Sequence, residues 1–230
     1  MTTKTPPEPG TQADEQSLRQ TLSQACLSMQ QEGLDSIGLL NLSHRWARSG
    51  AAGLITTAGQ LCWHPMQPLE RASDSWLNEP PAPGLWHELH VALLTERPDT
   101  HCIMLFAPPY ATALACLPRV QTEGIPPFHP ALAALGGDHL PCAALVGKRV
   151  ADGPRALIDS VLEATASRQA CLLANHGALV TGTSVAQTLQ RARRLESLAR
   201  VFSIAAQLGE PALLDASQMN NSFDAWQISD

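Results

Sequence analysis

The sequence predicts one α/β domain: a central sheet, mainly antiparallel or mixed, covered by helices. Three observations carry that prediction. Strand-patterned and helix-patterned stretches alternate along the chain. Some of the strands are joined by turns too short for a helical crossover. Neither an internal repeat nor a second zone of composition divides the 230 residues, a length that suits one large domain. Apolar residues make up 44% and charged residues only 16%, so the chain can bury a sizeable core.

Each element has a local reason. Residues 1–14, rich in Pro, Thr and acidic groups, read as a disordered tail; residues 15–215 read as the domain and 216–230 as a C-terminal tail. From Gln16, the residues Leu18, Leu22, Ala25 and Met29 recur on one helical face, and Gly33 ends the helix. SIGLLNLSHRW (from Ser36) and GLITTAGQLCWHP (from Gly53) read as two strands, with Ser49 to Gly53 as the turn. LERASDSWLNEPPAPG, from Leu69 to Gly84, is a polar, proline-studded loop. WHELHVALLTERP is an amphipathic helix with Leu89, Ala92 and Leu93 on one face and Pro98 beyond its end.

HCIMLFA is the next strand and PPYATALACL the next helix; GIPPFHPALAALGGDHLPCAAL is mixed, turning at Gly136-Gly137. PRALIDSVLEATASR is a helix with Pro154 in its first turn, where a missing amide N–H does no harm. ACLLANHGALVTG runs strand, loop, strand. Thr183 or Ser184 then caps a helix from Val185 to Leu208, which Gly209 stops.

Bulk properties exclude several classes. The net charge is −6 with no basic stripe, which argues against a nucleic-acid partner. No apolar run approaches the roughly 20 residues that cross a bilayer. The start, MTTKTPPEPGTQADEQ, has no apolar h-region, so a cytoplasmic, non-membrane protein is expected. Cys26, Cys62, Cys102, Cys116, Cys142 and Cys171 lack C-x-x-C spacing and read as free thiols in apolar segments.

The strongest local signal for a site is Asn175-His176-Gly177, directly after the apolar ACLLA. A polar residue, an imidazole and a flexible glycine at a strand end suit a site edge; a plain corner is the competing reading. His87 and His90 stand i, i+3 on a helix and can face one way, yet a metal needs a third ligand from elsewhere. Thr56-Thr57-Ala58-Gly59 offers hydroxyls and amides for a phosphate, or is simply a turn. At the end of the strand CIMLF, Leu105 and Ala107 share a direction, a natural place for a histidine pair that is here a leucine and an alanine.

Together these landmarks resemble the class II aldolase and adducin family, the group of fuculose-phosphate and ribulose-phosphate enzymes, from about Leu18 to Leu208. GLLNLSHRW is similar to the family's G-N-hydrophobic-S-x-R, and GLITTAG to its I-T-P-S-G. ELHVALLTERPDTHCIMLF is similar to its L-H…R-P-D helix and strand, and PPYATA to the small helix that follows. LLANHGALVTGTSVAQTLQRARRLESLARV carries its N-H-G loop and long helix. The resemblance implies a mainly antiparallel sheet with helices on both sides, and C4-type tetramers with active sites between subunits. It also implies a divalent metal, typically zinc, held by an H-x-H at a strand end and by the N-H-G histidine. A glutamate four residues before the L-H histidine moves protons, and a tyrosine from a neighbouring subunit donates one.

Carried over residue by residue, the N-H-G ligand survives as His176 and the L-H histidine as His90. The H-x-H pair falls on Leu105 and Ala107, the glutamate on Trp86, the donor tyrosine on Pro130, and the phosphate-binding serines on Gly84 and Leu85. Asn41 and the turn from Thr57 to Gly59 remain as ligand-binding candidates, with Trp86, Leu105 and Ala107 lining an apolar version of the pocket. The expectation is a non-catalytic, homo-oligomeric (tetrameric) binding or scaffold protein without a cofactor, open to a small-molecule ligand. The alternative is a metal-dependent aldolase with a relocated zinc site, His87, His90 and His176, and Glu88 in the glutamate's place. A third reading is metal-free acid–base chemistry by His90 and His176.

Overall fold

The structure, a computed structural model, describes residues 12–46, 51–56, 61–65, 85–144 and 153–227. Helix α1 (Gln12–Gln31) leads into β1 (Asn41–Trp46), β2 (Ala51–Thr56) and β3 (Leu61–Pro65). Helix α2 (Leu85–Glu96) precedes β4 (Cys102–Phe106), and two short helices follow, α3 (Pro109–Ala115) and α4 (Pro118–Glu123). A 3-10 turn (Pro130–Leu135), β5 (Cys142–Ala143), α5 (Gly153–Ala164), β6 (Ala170–Leu173) and β7 (Gly177–Gly182) come next, then α6 (Val185–Leu208) and α7 (Ala216–Gln227).

Seven strands form one sheet in the order β3-β2-β1-β4-β7-β6-β5. Every pairing is antiparallel except β5 with β6. The sheet is therefore mixed and mainly antiparallel, as the short turns predict. Period-two alternation sends successive β4 side chains to opposite faces. Cys102, Met104 and Phe106 join the core under α1, α3 and α6, whereas Ile103 and Leu105 join the core under α2 and α5. Both faces are covered, which is why all five β4 residues are buried and the strand reads as a continuous apolar run.

Several boundaries match local chemistry. Ser184 caps α6, its hydroxyl accepting from the Gln187 amide, and Gly209 ends the helix. Gly33 follows α1 with φ 68°, a left-handed conformation that glycine adopts without a Cβ penalty.

Three expectations are corrected. Residues 12–14, assigned to a disordered tail, begin α1. GLITTAGQLCWHP holds two strands rather than one: β2 and β3 pair antiparallel, with Ile55 opposite Leu61. At thirteen residues the stretch is about twice the usual strand length, so a reversal fits better. Residues 216–230 were expected to be a tail, but Ala216–Gln227 is helical, and Met219, 1% exposed, plugs the core beside the 3-10 turn. The polar loop from Leu69 to Gly84, Thr57 and Gly59 lie outside the described residues.

Candidate functional site at the end of strands β4 and β7

The edge of interest is where β4 ends and β7 begins. Phe106 pairs with Ala178 and Leu105 with Leu179, and the turn before β7 carries Asn175, His176 and Gly177. Asn175 has φ 57°, a left-handed conformation that Asn tolerates better than most residues. Its amide donates to the Ala115 carbonyl, the His176 amide to the Leu173 carbonyl, and Gln121 Nε2 donates to Asn175 Oδ1 at 3.1 Å. Gly177 is required by proximity. A Cβ there would sit 2.3 Å from the Phe106 carbonyl oxygen. These restraints fix the backbone that presents His176 at the sheet's end.

Opposite it stands Trp86, in the first turn of α2. The two rings stack, centroids 4.3 Å apart and planes 25° from parallel. Burial disfavours the charged imidazolium and pushes the His176 pKa below its usual value. One helical turn further along α2, His90 is 1% exposed, and its Nδ1 shares a 2.6 Å hydrogen bond with Ser43 Oγ on β1. Burial foremost, with His87 nearby, pushes the His90 pKa down to about 3. Glu88 is also buried, and burial raises its pKa.

The expected pair of donors is absent from β4. Leu105 packs with Leu89, Leu93 and Leu179, with Trp86 against the same cluster; Ala107 is equally buried, and its carbonyl accepts from the amide and hydroxyl of Ser36. Neither side chain has a lone pair to offer. Among the described residues, no three His, Cys, Asp or Glu side chains gather closely enough to hold an ion. The trio His87, His90 and His176 is thus not brought together as a relocated site. This donor set does not fit a three-imidazole metal site.

Asn41 lies directly across from Leu105 in the β1–β4 ladder, and its Nδ2 donates to the Leu39 carbonyl at 2.8 Å. The structure thus gathers Asn41, Leu105, Ala107, Trp86 and His176 at one end of the sheet. Cavities lined by described residues lie away from it. One of about 330 Å³ sits among α1, α3 and α6, beside Glu32, Tyr110 and Arg200. One of about 380 Å³ opens at the opposite sheet end, beside Arg97 and Thr183.

The family model for the class II aldolase and adducin N-terminal domain matches residues 20–203. The chain belongs to the class II aldolase and adducin family. A 5-methylthioribulose-1-phosphate/5-deoxyribulose-1-phosphate aldolase of Rhodospirillum rubrum is 30% identical over 212 residues, covering 91% of both chains. An L-fuculose phosphate aldolase of Escherichia coli is 27% identical over 203 residues, covering 84% of this chain and 86% of the relative. A solved L-fuculose 1-phosphate aldolase superposes with a TM-score of 0.72 at 19% identity, covering 92% of this chain and 96% of the other. That likeness speaks for the fold, a class II aldolase sheet with helices on both sides.

Within this family fold, three contributors escaped the sequence reading. Ser43 anchors His90. Arg45 donates to the carbonyls of Leu94, Arg97 and Thr100, fastening the end of α2 to β1. Glu196 of α6 accepts from the backbone amides of Tyr110 and Ala111, capping α3 beneath the site edge. The signal for the first two was there: Asn41, Ser43 and Arg45 alternate onto the face that α2 covers. Glu196 was legible as a lone acid on the buried stripe of α6, beside Leu195 and Ala199.

Proposed function

We propose that this chain is a non-catalytic member of the class II aldolase and adducin family, a homo-oligomeric and cytoplasmic binding or scaffold protein without a resident metal. The observation that carries this reading is the identity of the residues ending β4. Where imidazoles would have to stand, Leu105 and Ala107 lie fully buried, Leu105 within an apolar cluster. A catalytic zinc normally has about three protein ligands, and His176 alone leaves an ion mostly in water. The electrophile that stabilises an enolate-like charge, usually worth several kcal/mol, is then missing. Trp86 removes in addition a general base worth about 100- to 10,000-fold.

Any ligand of this edge would meet an indole, an imidazole and the Asn41 amide rather than a Lewis acid. A tetrameric assembly is in keeping with the family, and light scattering of the purified chain checks it. The names of the two aldolase relatives favour a second reading, a metal-dependent aldolase acting on a small sugar phosphate.

One experiment separates the two. Protein dialysed against zinc is assayed for metal by elemental analysis, beside a His176→Ala control, and for cleavage of sugar phosphates. The non-catalytic reading expects no retained metal and no cleavage. Stoichiometric metal that disappears in the His176→Ala variant, with turnover, would replace it by the aldolase.

A further inference from the structure

The mismatch between donor set and metal has a structural counterpart. A metal bound by strand-end and turn histidines is a cross-link as well as an electrophile, because it ties separate segments to one point. This chain must hold the same segments without it. The β4–β7 ladder already joins the two strands through Leu105–Leu179 and Phe106–Ala178. The start of α2 meets the 174–177 turn through the ring contact of Trp86 with His176.

We propose that the Trp86–His176 stack is a metal-free tether that fastens the start of α2 to the turn before β7. The proposal rests on the metal-free reading above.

Three features support it. Trp86 occupies the place where the resemblance puts the catalytic glutamate, so one substitution both removes the base and supplies the ring. His176 is presented by a turn that cannot drift: Asn175 and His176 donate backbone hydrogen bonds, and Gly177 is wedged against Phe106. Trp86 and His90 lie four apart, on the same side of α2. The first half of the helix is thus registered by Trp86 on the turn and by the His90–Ser43 hydrogen bond on β1, ahead of the Arg45 bonds at its end. Offset stacking of two flat rings has a defined geometry, which an aliphatic side chain of similar size does not reproduce.

A double-mutant cycle tests the tether. Melting temperatures are measured for the full chain, Trp86→Ala, His176→Ala and the double variant, each with added zinc and with a chelator. The tether expects each single change to lower the melting temperature by several degrees and the double change to cost little more than the worse single one. Neither zinc nor chelator should move the parent protein. Simple addition of the two losses would reject the tether and leave the metal-free reading standing. Stabilisation by zinc that vanishes with His176→Ala would reject both. If the alanine variants fail to fold, Trp86→Phe and Trp86→Leu decide: the tether expects the phenylalanine variant to keep most of the parent's stability and the leucine variant to lose it, and equal behaviour overturns it.

Discussion

Ser43 Oγ and His90 Nδ1 lie 2.6 Å apart, buried between β1 and α2. The imidazole is fully enclosed there, and its pKa falls to about 3, with burial the main cause. An unfolded chain binds a proton at this residue near pH 6.5, whereas the folded chain does not until about pH 3. The unfolded state therefore holds more protons in that window, and stability rises with pH across it. The contribution is complete above about pH 6.5 and erodes as pH falls toward 3, by up to about 1.4 kcal/mol per unit. Urea unfolding between pH 5 and 7 should show this slope, and His90→Leu should flatten it. His44 and His176 are shifted in the same direction, so a residual slope is expected in that variant.

Glu196 is the cap of α3. It is 8% exposed, and its two oxygens accept from the Tyr110 and Ala111 amides at 2.8 and 2.9 Å. Burial raises its pKa, opposed by those two amides and by the neighbouring Arg200. Glu196→Leu leaves two amide donors beside an apolar side chain, at a cost of about 1–3 kcal/mol. Thermal unfolding should register a fall of several degrees. An unchanged melting temperature would mean that α3 is held by its apolar contacts alone.

Gly177 lets β7 start hard against β4. An added methyl meets the Phe106 carbonyl at 2.3 Å, and backbone cannot step aside as a flexible side chain can. Gly177→Ala should destabilise the protein by about 1–3 kcal/mol through overpacking and displace the His176 ring, weakening its stack on Trp86. Chemical denaturation checks the first effect, and a crystal structure of the variant checks the second.

Restoring the donors tests whether only side chains are missing. Leu105→His and Ala107→His combined with Trp86→Glu should yield a protein that retains stoichiometric zinc after dialysis, because the two introduced imidazoles then converge with that of His176 to make three. Leu105→His alone should retain none. Elemental analysis is the readout, and a triple variant that folds but holds no zinc would place the difference in the backbone.

Much of the fold was legible because its signals are local. The span of α6 follows from Ser184, its periodic apolar residues and Gly209, and β4 follows from an unbroken apolar run before Pro108-Pro109. Two of the misread stretches fail for definable reasons. GLITTAGQLCWHP contains neither an internal Pro nor the Asn-Gly that marks most turns, so its division into β2 and β3 has no local flag. ASQMNNSFDAWQ is polar enough to read as a tail, and its helix is secured by Met219 and Phe223 packing onto the core around the 3-10 turn, a contact between distant parts of the chain.

The sequence by itself determined the order of most elements, the family, and the leucine and alanine at positions 105 and 107, where the family resemblance implies imidazoles. Periodicity and residue identity are properties of short segments and can be read directly. Only the tertiary structure decided that Trp86 lies on His176, that Ser43 reaches His90, and that Glu196 turns toward α3. Each of those pairs joins residues from separate elements, 47 to 90 positions apart. Their meeting depends on how the sheet's register and the packing of α2 and α6 bring two faces together, which no short segment encodes.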